Sequence, residues 1–102
     1  MKRFDVFKNP HASKHFPFVV VVQHELMNVL PTRLVIPLIR RESLGPPISG
    51  LNPGWTFEGL AVVLLTQQMG AVSAASLKSP VGSLARHGAQ ILRSIDMLLS
   101  GV

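Results

Sequence analysis

The chain contains no cysteine, so no disulfide and no thiolate metal site can form, a usage that suits a reducing cytoplasm. Charged residues are scarce as well, at 15%. Only five are acidic, and their scatter leaves paired-carboxylate catalysis without a candidate. The six aromatics never alternate with basic residues as in a base-stacking platform. No apolar run approaches the roughly 18 residues that a membrane-spanning helix needs. The longest, Phe16 to Val22, includes a proline and has the length of a strand. No secretory leader is evident, because Lys2 and Arg3 are followed at once by Asp5 and Asn9. His24-Glu25 lacks the second histidine of a zinc-protease helix, and Gly45 and Gly50 lack the spacing of a phosphate loop. His11 and His15 stand four apart, but in a loop opened by Pro10, where solvated histidines are the better reading than a metal site. No Ser/His/Asp set stands out. These absences point away from an enzyme and toward a binding protein, with no catalytic residue, cofactor or metal expected.

What the chain does have is apolar surface. Hydrophobic residues reach 47% of only 102, which fit one domain (residues 1–102) with one small core. A chain this short cannot hide so much apolar area in a monomer, and an oligomer interface is the natural place for the excess. The formal net charge is +5, from ten Lys/Arg against five Asp/Glu. That balance favours an anionic partner, either nucleic acid or an acidic protein. The basic residues form no long run, so no direct nucleic-acid partner is expected.

The pattern predicts strands first and one helix last. Residues 3–8 alternate as a first strand, and 16–23 are dense in β-branched residues. A turn-rich stretch follows, then a third strand over 33–39. Pro37 near its end cannot donate to a ladder, so it belongs at an edge or a bulge, the kind of corner that a small, strongly bent sheet has. Residues 40–55 hold three of eight prolines and three of eight glycines and read as a long mobile loop. A strand is expected around Ala61–Thr66, and a shorter one within 69–77. Ser83 is a fair N-cap for a helix over 84–102, with Leu84, Ile91, Ile95, Leu98 and Val102 at helical spacing and Gly101 as its C-cap. Gly88 would weaken the interior of that helix by about 1 kcal/mol relative to Ala. Trp55 reads as a core or loop-packing residue.

In this order, "FVVVVQ", "RLVIPL", a Trp-containing loop, "TQQMGAV" and a terminal helix ending in Gly-Val resemble the CcdB family of toxins. The resemblance covers most of the chain. It is most specific at "RLVIPL" and over the last sixteen residues, and poor over 40–58. It implies a mainly β fold with one C-terminal α-helix, a strongly bent antiparallel sheet of the SH3-like barrel type shared with MazF- and Kid-type ribonucleases. It further implies a homodimer and a toxin that binds the A subunit of DNA gyrase, trapping the gyrase–DNA cleavage complex without catalysing a reaction. An antitoxin with an acidic disordered tail would neutralise it, which suits the positive charge here.

The family's gyrase contact, carried over by position, falls on Arg93 and Asp96 of the helix, on Ser100, Gly101 and Val102 at its end, and on His24 and Leu26 after the second strand. Gly101 matches the family, and Val102 stands in for a terminal isoleucine. Ser100 departs from the family's tryptophan, which stacks on a gyrase arginine, and Arg93 replaces a neutral amide. Two alternatives follow. A repurposed homologue would bind antitoxin but not gyrase, and Ser100 favours it. A MazF-like endoribonuclease would have to draw on Arg33, His24 and Thr66.

Overall fold

The computed structural model describes residues 1–11 and 13–102. Apolar and β-branched runs become strands, and every pairing between them is antiparallel. The strands are β1 (Asp5–Lys8), β2 (Phe18–Val21), β3 (Thr32–Arg40), β4 (Gly54–Phe57), β5 (Leu60–Leu64), β6 (Gly70–Ser73) and β7 (Gly82–Ser83), followed by one helix, α1 (Gly88–Ser100). They form a single curled sheet of order β4-β5-β3-β2-β1-β7, with β6 also paired to β3. The fold is thus the mainly β half-barrel with a C-terminal helix that the sequence predicts.

β3 has two partners along one side. Thr32 to Val35 pair with β6, and Leu38 to Arg40 pair with β5. Pro37 sits in the gap between them. Its carbonyl accepts the Leu65 N–H at 3.0 Å on that same side. A strand residue's N and O point the same way, so the N–H that Pro37 lacks would also have faced the gap. On its other side Pro37 lies opposite Val19 of β2 without breaking that ladder. Proline therefore stands where its missing donor removes least.

Both faces of the central strands are covered, and β2 is buried throughout. One cluster holds Val6, Val20, Ile36, Leu38, Val62 and Leu64 with Ile91 of α1, and includes an edge-on contact between Phe18 and Phe57 at 5.1 Å. Smaller clusters on Phe7, Val19 and Val35 and on Ile39, Val63 and Leu65 cover the rest. Among the described residues no helix is long and apolar enough to cross a membrane.

Three expectations are corrected. Residues 40–55 are not a free loop. The chain makes a 3₁₀ turn at Arg41–Ser43, is pinned through buried Asn52, and enters β4 at Gly54. The Asn52 amide donates to the Leu64 carbonyl at 3.0 Å and to Gln67 Oε1 at 2.7 Å, and its Oδ1 accepts the Ile48 N–H at 3.0 Å. β4 then turns into β5 through Glu58-Gly59, both with positive φ (51° and 76°), as a two-residue type I′ hairpin requires.

The helix also starts later than predicted. Gly82 and Ser83 still pair with β1, and the Leu84 N–H donates to the Phe4 carbonyl, so residues up to 84 remain tied to the sheet. Ser83 Oγ accepts the Ala85 N–H at 3.1 Å in a local turn, and α1 begins after His87 with no side-chain cap, so Ser83 is not the helix N-cap. Finally, Gly88 is the buried first residue of α1, not a weak point inside it. A Cβ there would lie 2.6 Å from the Phe4 ring, so glycine is what lets the helix settle onto the sheet.

Gly88→Ala should therefore destabilise the protein by about 1–3 kcal/mol, the usual cost of overpacking, against the direction that helix propensity predicts. Thermal melts check this, and Phe4→Leu in the same background should recover part of the loss. A melting temperature raised by Gly88→Ala alone would mean that the ring lies elsewhere.

His87 carries a pH dependence. Its ring stacks on Trp55 at 4.8 Å between centroids, with the planes 22° apart. Desolvation, and secondarily the Arg86 charge, hold its pKa below the ordinary histidine value of 6.5. The unfolded chain then binds a proton that the folded chain refuses, so stability present above about pH 6.5 is lost as pH falls toward the lowered folded value. Urea melts across pH 7.5 to 5 should show this fall, and it should be shallower in His87→Phe, which keeps an aromatic ring beside Trp55.

Candidate functional site at the helix end

The apolar stripe of α1 is buried only along its first half. Ile91 is fully buried, whereas Leu99 is 72% and Val102 87% exposed. The last turn therefore projects beyond the sheet. Gly101 ends it with φ 78°, its N–H donating to the Met97 carbonyl at 2.8 Å, the left-handed cap that glycine adopts without strain. Ser100 Oγ–H donates back to the Asp96 carbonyl at 2.6 Å. The predicted Gly101 cap is thus observed, and beyond it the chain leaves the helix axis and presents Val102.

Arg93, Asp96 and Val102 line one shallow pocket with Gln90 and Met97 of α1 and with Gly50 and Pro53 of the pinned segment. Gly50 has φ 81°, and a Cβ there would lie 2.7 Å from Met97 Cε. Glycine thus serves both the turn and the close approach of segment to helix. Gln90 is held in turn, since its Oε1 accepts the Trp55 Nε1–H at 3.1 Å. Trp55 is half-buried against the main core and has the packing role read from the sequence. Gln90, Met97, Gly50 and Pro53 were not among the predicted site residues. Met97 was legible as a neighbour of Arg93 and Asp96 on the helix, but the return of residues 50–53 onto it was not.

His24 and Leu26 lie elsewhere, on a 3₁₀ turn over Glu25–Met27. His24 Nδ1 accepts the Leu26 N–H at 3.1 Å, and Glu25 Oε1 accepts the Arg3 N–H at 2.8 Å. Neither His24 nor Leu26 lines the helix-end pocket. Leu26 is 75% exposed and heads a run of exposed apolar residues, with Met27, Val29, Leu30 and Leu34. Arg33 shapes this segment from beneath. Buried, it donates to the carbonyls of Leu30, Thr32 and Asn28 at 2.6, 2.9 and 3.1 Å.

The endoribonuclease alternative loses its residues. Thr66 is fully buried with its hydroxyl donating to the Leu51 carbonyl at 2.7 Å, Arg33 is buried with its two terminal nitrogens on the carbonyls of Leu30, Thr32 and Asn28, and His24 caps an exposed turn. They do not converge on a place where a phosphate could sit. His15 Nδ1 lies 2.8 Å from Ser43 Oγ, and among the described residues no group of three His, Cys, Asp or Glu side chains could hold a metal ion.

A family model described as CcdB protein matches residues 3–101, from the start of the sheet to the helix cap. No curated protein matches the chain. The family match takes in the partner switch on β3, the projecting helix and the Gly101 cap together, and the chain belongs to the CcdB family, the toxins of toxin–antitoxin pairs.

Proposed function

We propose that this toxin binds the A subunit of DNA gyrase through the tip of α1 and traps gyrase with its DNA cleaved. The observation that carries the reading is the projecting last turn. Arg93, Asp96, Ser100, Gly101 and Val102 are all exposed there on a helix whose other end is locked into the core. An exposed, rigidly rooted tip gives up little conformational freedom on docking. His24 and Leu26 would join the contact from a second copy or from the side of the same subunit. A homodimer fits the exposed apolar run from Met27 to Leu34, and an antitoxin with an acidic tail fits the net charge of +5.

One observation favours a second reading, in which the protein binds antitoxin but does not poison gyrase. Ser100 presents no aromatic face, and its hydroxyl is turned back onto the Asp96 carbonyl. A stacked aromatic–arginine contact is typically worth about 0.5–2 kcal/mol, and serine forfeits it.

The deciding experiment is a gyrase cleavage-complex assay with the purified protein and with Ser100→Trp. On the gyrase reading the variant should trap gyrase about five- to thirty-fold more tightly, matching a gain of about 1–2 kcal/mol. Deleting Gly101 and Val102 from that variant should abolish the gain while leaving the melting temperature nearly unchanged, because both residues are exposed. If neither protein raises gyrase-dependent DNA breaks above background while both remain folded, the antitoxin-binding reading replaces it.

Assembly is checked separately. Light scattering at micromolar concentration should give about twice the 11.1 kDa chain mass, and a single species near 11.1 kDa would remove the dimer.

A further inference from the structure

We propose that a basic groove across the ends of β1, β2 and β3 binds the phosphate backbone of a single-stranded nucleic acid. This reading does not rest on the gyrase contact, because the groove shares no lining residue with the helix-end pocket. Three depressions make it up. The first lies between Lys78, Ser79, Val81 and Lys8. The second runs from Lys8 past Ser13, Phe16 and Pro17 to Arg40. The third holds Arg40, Lys14, His15, Ser43 and Glu42. Lys8 belongs to the first two and Arg40 to the last two, so the depressions join into one path.

The sequence shows no basic run here, and the sheet creates one. Lys8 pairs with Phe18, Phe18 with Leu38, and the Arg40 N–H donates to the His15 carbonyl at 2.9 Å. Those pairings bring together the cations at positions 8, 14 and 40, and the Val81 N–H, donating to the Val6 carbonyl at 2.7 Å, brings the segment of Lys78 alongside β1. Four Lys/Arg and His15 then face a single acid, Glu42. Arg40 is fixed in place, its Nε–H donating to the Lys14 carbonyl at 2.7 Å, which holds a planar guanidinium where two depressions meet. Such a fork suits a phosphate. Each depression also offers a serine hydroxyl beside its cation, from Ser79, Ser13 and Ser43 in turn.

Two features select the occupant. The backbone along the floor is already paired, Asn9 N–H to the Pro17 carbonyl at 3.0 Å and Arg40 N–H to His15, so an acidic peptide finds no free ladder there to extend. The middle depression has an apolar floor in Phe16, Pro17, Phe18 and Leu60. An unpaired base can cover such a floor, whereas a duplex keeps its bases stacked inside.

The test measures anisotropy of a labelled 15-nucleotide oligo(dT) against the full-length protein over a salt series. Binding should fall with salt with a log–log slope of about −3, as four phosphate contacts on a single strand imply. Lys8→Ala/Lys78→Ala, at two exposed positions, should weaken binding about tenfold, flatten the slope by about 1.4 and leave the melting temperature unchanged. Lys2→Ala/Arg86→Ala, which removes equal charge outside the groove, should change neither. Lys14→Ala gives a third reading that leaves the Arg40 anchor on the Lys14 carbonyl intact. No binding at 50 mM salt, or equal loss in both double variants, would overturn the proposal. So would a duplex of matched length that binds as tightly, or polyglutamate that displaces the oligonucleotide at equal charge concentration.

Discussion

The change of partner along β3 is the constraint on which the rest of this molecule depends. A nine-residue strand that held one neighbour throughout would make a flatter sheet, but here β6 takes Thr32 to Val35 and β5 takes Leu38 to Arg40. The two neighbours diverge from one edge, and the sheet curls around the gap between them. Proline is favourable at position 37 because the ladder has already been given up there. The curl lets so short a chain bury both faces of β2 and close a main core around Val20, Ile36, Leu38 and Leu64. It also carries residues 65–68 back under the helix, where Thr66 Oγ1, in the turn after β5, lies 3.2 Å from Ser94 Oγ of α1 and both side chains are buried.

The placement of α1 follows from how the chain leaves that sheet. β7 is two residues long, and the Leu84 N–H still bonds the Phe4 carbonyl, so the helix cannot begin until the chain has turned through Ala85–His87. Phe4 sits in the left-handed region at φ 72°, which turns its ring beneath Gly88. A strained backbone at Phe4 and a missing side chain at Gly88 are two halves of one fit. Because the helix is anchored at its first turn and at Ile91, its thirteen residues run out past the core. The exposure of the tip is thus a consequence of where the helix is rooted.

Much of this was legible in the residues, and the misreadings have definite causes. Pro37 announced a corner, the β-branched run announced β2, and Gly101 announced the helix end. Leu84 misled because it stands seven residues before Ile91, a helical spacing, yet it is buried as the last residue tied to β1. β4 was hidden because its four residues follow a stretch rich in proline and glycine. Its hairpin uses Glu58 at positive φ, where Asn or Asp would have signalled a type I′ turn. At the candidate site, Arg93, Asp96 and Val102 were carried over from the family resemblance, and they line one pocket. His24 and Leu26 came from the same likeness and lie on a separate turn. Gly50 and Pro53 could not be found, because the return of their segment onto Met97 is fixed by Asn52 reaching Leu64 and Gln67, a tertiary contact with no local pattern.

The basic residues make the same point about scale. In the linear chain they look dilute, since Lys8, Lys14, Arg40 and Lys78 are spread over 70 positions. Antiparallel pairing erases that separation, because strand ends distant in sequence lie side by side. A charge that looks like general solubility in the sequence becomes a directed field at the ends of β1, β2 and β3. The helix tip carries the opposite lesson. Arg93 and Asp96 are adjacent on one helix and offset each other's charge, so that end of the molecule is nearly neutral and rimmed by Leu98, Leu99 and Val102. One small domain therefore carries two surfaces of different chemistry, an exposed tip on its helix and a cationic groove on its sheet. They share no residue, so either can change without disturbing the other.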